Sequence, residues 1–158
     1  MHITRGFTLI ELMVTIAVLA IVIAIATPSF TSVIQSNRTT ALHHEILGAI
    51  QLARSEAVKR RKEVIVCRSE NMTDCANGAD WAVGWLVKEV AGEVVKIWDP
   101  VTGMAVTGPI TGAVFRSSGM ANAVTNFTTA TSSCTSGTKY TIEISLTGSA
   151  TAAKTGCP

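Results

Sequence analysis

One acid stands inside an otherwise apolar stretch near the start of the chain. Glu11 interrupts the run FTLIELMVTIAVLAIVIAIA, residues 7–26. A carboxylate in a bilayer interior costs about 2.5–3.5 kcal/mol on insertion scales, so an ionisable group at that depth needs a partner. The chemistry open to Glu11 is charge pairing. Other residues invite chemistry as well. Cys67, Cys75, Cys134 and Cys157 could form two disulfides or hold a metal, but no pair has CxxC spacing and the histidines lie elsewhere. Lys59, Arg60, Arg61 and Lys62 form a basic run that could meet phosphates or complement the C-terminus of a helix. His43 and His44 are adjacent, so they point to different faces of a helix and read as surface rather than as a metal pair. Trp81, Trp85 and Trp98 could stack on a ligand, although aromatic residues at strand spacing more often fill a core. No Ser-His-Asp order in context, phosphate loop or pair of carboxylates on one element is present, so no catalytic residue, cofactor or metal is expected.

The elements that hold these residues follow from periodicity. Twenty helical residues rise about 30 Å, the thickness of a bilayer's hydrocarbon core. Three readings of this segment stand side by side. A signal peptide would be cut near Ala24-Ile25-Ala26. A plain anchor would carry Glu11 by chance. The third reading makes Glu11 the working residue. Pro28 follows the run, and a proline removes one hydrogen bond and clashes with the preceding turn, so the helix is expected to bend there and continue. Beyond it, Leu42, Ile46, Ala49, Ile50, Ala53 and Ala57 recur at steps of three and four, a narrow stripe at helical period. Arg38, Glu45, Gln51, Arg54 and Glu56 fall on other faces. One helix from about Phe7 to Lys59 is the expectation.

After it the pattern turns to strands. They are expected at 64–67, 81–87, 93–98, 113–116, 124–128 and 140–146, with Gly84 marking a bulge and turns at Asn77-Gly78 and around 99–103. The chain has 158 residues and a net charge of +2, enough for one small domain beyond the anchor and too little charge for an overall nucleic-acid field. An even cysteine count beyond a membrane segment suggests two disulfides in an exported domain. Of the three connectivities, the local one, Cys67–Cys75 with Cys134–Cys157, is taken as the expectation.

GFTLIEL, residues 6–12, after the leader MHITR, resembles the class III signal of type IV prepilins and of the pseudopilins of type II secretion. The resemblance implies that a prepilin peptidase cuts between Gly6 and Phe7 and N-methylates Phe7. It also implies that Glu11 is the assembly residue. Cleavage leaves an α-amine on Phe7, charged near neutral pH. An amine and a carboxylate are each costly in lipid alone and less so as a pair, so Glu11 of one subunit meeting the amine of its neighbour would set axial register.

A helix ending in LARSEAVKRRKEV, residues 52–64, then a cysteine, then WAVGWLV, is similar to the minor pilin and pseudopilin group called FimT, FimU and GspH. That likeness implies an α+β, type IV pilin-like fold. Its long kinked helix packs on a small antiparallel β head, two sheets in expectation. The division expected is leader 1–6, transmembrane or filament-core helix 7–28, amphipathic continuation 29–62 and β-rich head 63–158. The implied partners are other minor and major pilins, the prepilin peptidase and an inner-membrane assembly platform. The implied location is the bacterial inner membrane, single pass with a periplasmic head, and then the filament. The function implied is a FimU-like minor pilin that primes assembly or sits in a tip complex, with two alternatives: a GspH-like pseudopilin of type II secretion, and a FimT-like DNA-binding minor pilin of natural transformation that would use the Lys59–Lys62 run. DNA-binding members of the group share a C-terminal Gly-Arg-x-Arg. Here that place reads Gly148-Ser149-Ala150-Thr151, without either arginine, so DNA is not an expected partner.

Overall fold

The computed structural model describes residues 7–132, 134 and 137–157, and for residues 26–29 only the backbone. Gly6 and the leader therefore lie outside the described residues. Helix α1 runs from Leu9 to Arg60, close to the expected span. The chain divides into two compact units, Met1–Gln35 and Ser36–Pro158.

In the first unit every described side chain from Phe7 to Ile25 is exposed. A helix that is apolar all round and exposed all round suits lipid or a bundle of like helices. The helix continues through Pro28, as expected.

The second unit is built on the helical stripe. Leu42, Ile46, Ala49, Ile50, Ala53 and Ala57 are all buried and belong to one hydrophobic cluster. The chain then forms eight strands: β1 Val64–Arg68, β2 Trp85–Glu89, β3 Val94–Trp98, β4 Met104–Thr107, β5 Ala113–Phe115, β6 Thr125–Thr131, β7 Thr138–Ile144 and β8 Ala150–Gly156. They make two four-stranded sheets, β3-β2-β1-β5 and β4-β6-β7-β8, and every pairing is antiparallel. Val64, Val66, Trp85 and Val87 from the first sheet and Val106, Phe127, Ile142 and Ile144 from the second meet the stripe in the same core.

Several boundaries differ from expectation for local reasons. The stretch before β2 is a turn rather than a strand. The Ala82 N–H bonds Asp80 Oδ1, the Gly84 N–H reaches the Trp81 carbonyl, and Gly84 has φ of 109°. The irregularity expected at Gly84 lies instead between Val87 and Lys88. Strands β4 and β8 were not expected. Their sequences, MAVT and ATAAKTG, are short or small-residue runs with little apolar alternation, and their partners β6 and β7 impose the extended conformation. Trp81 and Trp85 are fully buried. Trp81 meets Phe127 edge-on at 4.9 Å, while Trp85 stacks on the half-buried Trp98 at 6.0 Å.

The helix sits on the second sheet through a polar seam. Ser36 Oγ and Thr138 Oγ1 are 3.4 Å apart, and Thr40 Oγ1 and the Tyr140 hydroxyl 3.2 Å. His43, read from the sequence as surface, is buried in this seam, and its ring stacks on Tyr140 at 4.3 Å. Among the described residues its Nδ1 finds no hydrogen-bond partner. Burial, with a smaller contribution from His44, holds its pKa below the ordinary 6.5. The unfolded chain therefore binds this proton more readily than the folded one, so stability falls as pH drops through and below 6.5. Between pH 7 and 5, above the range where ordinary carboxylates titrate, the melting temperature of the full chain in detergent should fall by roughly a few degrees. His43→Phe keeps the stack and should flatten that slope; equal slopes in the two proteins would remove His43 as the cause.

Candidate functional site

Three places carry the residues singled out from the sequence. The first is the start of α1. Thr8 precedes the helix, and both its N–H and its Oγ1 donate to Glu11 Oε2, each at 2.9 Å. The Glu11 N–H returns a bond to Thr8 Oγ1 at 3.3 Å. This is a capping box, Thr at the N-cap and Glu three residues on, which satisfies backbone donors that a helix start leaves open. Sequence reading paired Glu11 only with a neighbour's amine and missed Thr8, although T-x-x-E was visible in FTLIE. Both contacts fall on Oε2, which leaves Oε1 to meet a cation. Phe7, the residue after the expected cleavage, is fully in the open beside it. An acid placed this way can hold a cationic group at the helix N-terminus within an apolar surround.

The second place is the basic run. The helix ends with Arg61 in the left-handed region, φ 57°, and the Lys62 N–H bonds the Ala57 carbonyl at 3.3 Å. That closing pattern is a Schellman motif with arginine where glycine is usual. The run does not stand as a free cationic strip. Lys59 and Arg60 both reach Glu56, and Arg60 and Lys62 both reach Glu89 of β2, at 2.9 and 2.8 Å. Glu56, expected on a polar face, is instead largely buried under these cations, because its carboxylate bridges them. Bonding to Arg60 first, and to Lys59, lowers the Glu56 pKa. Lys62 and then Arg60 do the same for Glu89. These pairs tie the end of the helix to the first sheet.

The third place is the cysteine pair set. Cys67 is bonded to Cys75 across the loop after β1, and Cys134 to Cys157 across the β7–β8 hairpin. Among the described residues no group of three or more His, Cys, Asp and Glu is placed to hold a metal. His44 is exposed, with its ring tilted against that of His43 at 5.1 Å.

With three of its four cations on carboxylates, and serine and threonine at 149 and 151, the 59–62 run offers few counter-ion sites for a phosphate backbone. The full-length chain in detergent should show no saturable binding of duplex DNA at micromolar protein and physiological salt. Saturable binding that weakens with added salt, and is lost in Lys59→Ala/Arg61→Ala, would reverse this reading of the run.

Comparison with known proteins gives a consistent answer. The model of the family described as type II transport protein GspH matches residues 43–148, most of the chain. The prokaryotic N-terminal methylation motif matches residues 1–27. No curated relative matches. Two crystal structures of the type IV minor pilin FimU from Pseudomonas aeruginosa strain PAO1, in space groups P21 and P65, share the fold. They are 16% and 17% identical, cover 73% and 72% of this chain and 87% and 91% of their own, and have TM-scores of 0.58 and 0.57. At that identity the likeness is one of architecture: a long N-terminal helix packed on two antiparallel sheets. The methylation motif and an N-terminal helix long and apolar enough to cross a membrane fit a membrane-anchored subunit that assembles with other pilins. Its match along most of its length, and the pilin fold that match carries, make this chain a member of the GspH family, a non-enzymatic subunit of the minor pilin and pseudopilin kind.

Proposed function

We propose that this chain is a minor subunit of a type IV pilus that primes assembly or sits in a tip complex. The precursor inserts with Arg5 on the cytoplasmic side and the head in the periplasm. Prepilin peptidase cuts between Gly6 and Phe7 and methylates the new Phe7 amine. The helix then leaves the bilayer for the filament, where Glu11 engages the amine of a neighbouring subunit, and an assembly platform drives that transfer. The observation that carries this reading is Glu11, an acid placed five residues after the cleavage position in a helix start that is otherwise apolar and exposed. Thr8 supports it. The capping box holds the carboxylate at the helix N-terminus while the subunit waits in lipid, lowering the cost of an unpaired charge there.

A second reading, a pseudopilin of type II secretion, has the printed description of the matching family in its favour. The two differ in phenotype. Deletion in the native host should abolish or sharply reduce surface pili and leave exported enzymes at normal levels. Lost secretion with normal pili would move the chain to the secretion machine.

Glu11→Gln keeps the shape and removes the charge. It should accumulate in the inner membrane at the normal level and enter filaments about tenfold less, the effect of roughly 1.4 kcal/mol of lost pairing. Wild-type incorporation of Glu11→Gln, read by immunoblot of sheared filaments, would end the assembly role of this residue.

A further inference from the structure

The head carries a second interaction surface, away from the helix start. It gathers where the last turns of α1, the β5–β6 loop and the β7–β8 turn meet. Arg54 binds these three together: its Nε donates to the Gly119 carbonyl at 3.1 Å and its Nη2 to the Thr147 carbonyl at 3.2 Å. The two loops touch directly. The Ala121 N–H bonds the Leu146 carbonyl at 3.0 Å, and a Cβ on Gly148 would fall 2.1 Å from the Gly119 oxygen. Gly119 and Gly148 have φ of 80° and 75°, where glycine is strongly favoured. The surface is thus built in advance rather than formed on contact.

On it stand three apolar side chains that a soluble head has no reason to expose together: Val58 at 50%, Met120 at 45% and Leu146 at 52%. Val58 lies against Gly119, 3.0 Å from a Cβ placed there. Arg54 and Arg116 border them, while Lys59, next to Val58 in the chain, is held on Glu56. Neither 116–124 nor 145–149 contains an acidic residue, and neither do helix positions 51, 54, 55 and 58; Glu56, between the last two, is taken up by Lys59 and Arg60, and Glu143 in β7 is the next carboxylate along the sequence. The exposed acids of the head lie mostly on other segments, Glu70, Asp74, Asp80, Glu93 and Asp99 among them.

We infer that this patch binds the head of a different subunit of the same assembly, one that presents aliphatic side chains inside a rim of carboxylates. The apolar centre selects a protein over nucleic acid, since aliphatic groups gain nothing opposite phosphates, and the cationic rim selects an acidic partner. The inference rests on the subunit's working within an assembly of pilins, and it adds the surface and the chemistry of the neighbour.

A photo-cross-linking residue is placed in the full-length chain at Met120 or Leu146 in the native host, with Ile97 on β3 as a control position. Ultraviolet capture from Met120 and Leu146 should yield a peptide of another pilin-like subunit that contains Asp or Glu, and Ile97 should not yield it. Adding Arg116→Glu should cut that yield about tenfold, and so should Val58→Asp; Met120→Asp, read from the Leu146 probe, repeats the test if Val58→Asp fails to accumulate. Capture only of nucleic acid, lipid or a second copy of the chain, or yields unchanged by these substitutions, would overturn the surface. Pili counted in the deletion strain separate the two ideas: a specific cross-link with normal pili keeps the surface and removes the pilus, while lost pili without a cross-link does the reverse.

Discussion

Between Thr39 and Ala57 the helix has a single dry face, and both sheets exist by virtue of it. Neither four-stranded sheet could bury its apolar side alone, and no helix stripe of six residues forms a core without cover. Three of the six stripe residues are alanines, 49, 53 and 57, all fully buried. The large side chains come from the strands and the turn before β2: Trp81, Trp85, Phe115 and Phe127 are all fully buried. Volume lacking on the helix is supplied by the head, an alternation of small against large that fills an interior to native density.

The same helix meets a different requirement in its first half, where no residue from Phe7 to Ile25 is covered. There, side chains are chosen for a surrounding that is not water, and the one acid must be answered locally. Thr8 answers it within the chain. At the other end, Glu56 and Glu89 answer the basic run in the same manner. The charges at both helix ends are therefore held by near neighbours, and little of the net charge of +2 remains as a long-range field.

Much of this was legible in the sequence, because the signals were strong and local. The methylation motif, the stripe from Leu42 to Ala57 and strands β1, β3 and β7 each announce themselves by spacing or by aliphatic and aromatic runs. What escaped reading depends on tertiary partners. The small residues of β8 are extended because β7 pairs with them, and Trp81 to Gly84 turn because Asp80 caps that turn. His43 is buried by Tyr140, nearly a hundred residues away, and Glu56 by cations that any helical wheel would place in solvent. The Thr8–Glu11 box is the exception: it is purely local, and its T-x-x-E pattern stands in the sequence at 8–11.

The β7–β8 hairpin is tied at both ends. The turn at 145–149 closes one end, with Ile144 opposite Ala150, and Cys134–Cys157 closes the other, just beyond the pairing of Thr138 with Gly156. An edge strand ordinarily peels from its free end, one backbone bond after another, and a peeled strand can be replaced by a strand from elsewhere. Here β8 has no free end from which to begin. While the disulfide is intact, the outermost strand of this sheet cannot unzip under a pull or trade places with a foreign strand, although nearly every residue in it faces solvent. The hairpin behaves as a closed ring, and its resistance to strand exchange comes from topology rather than from the strength of its packing.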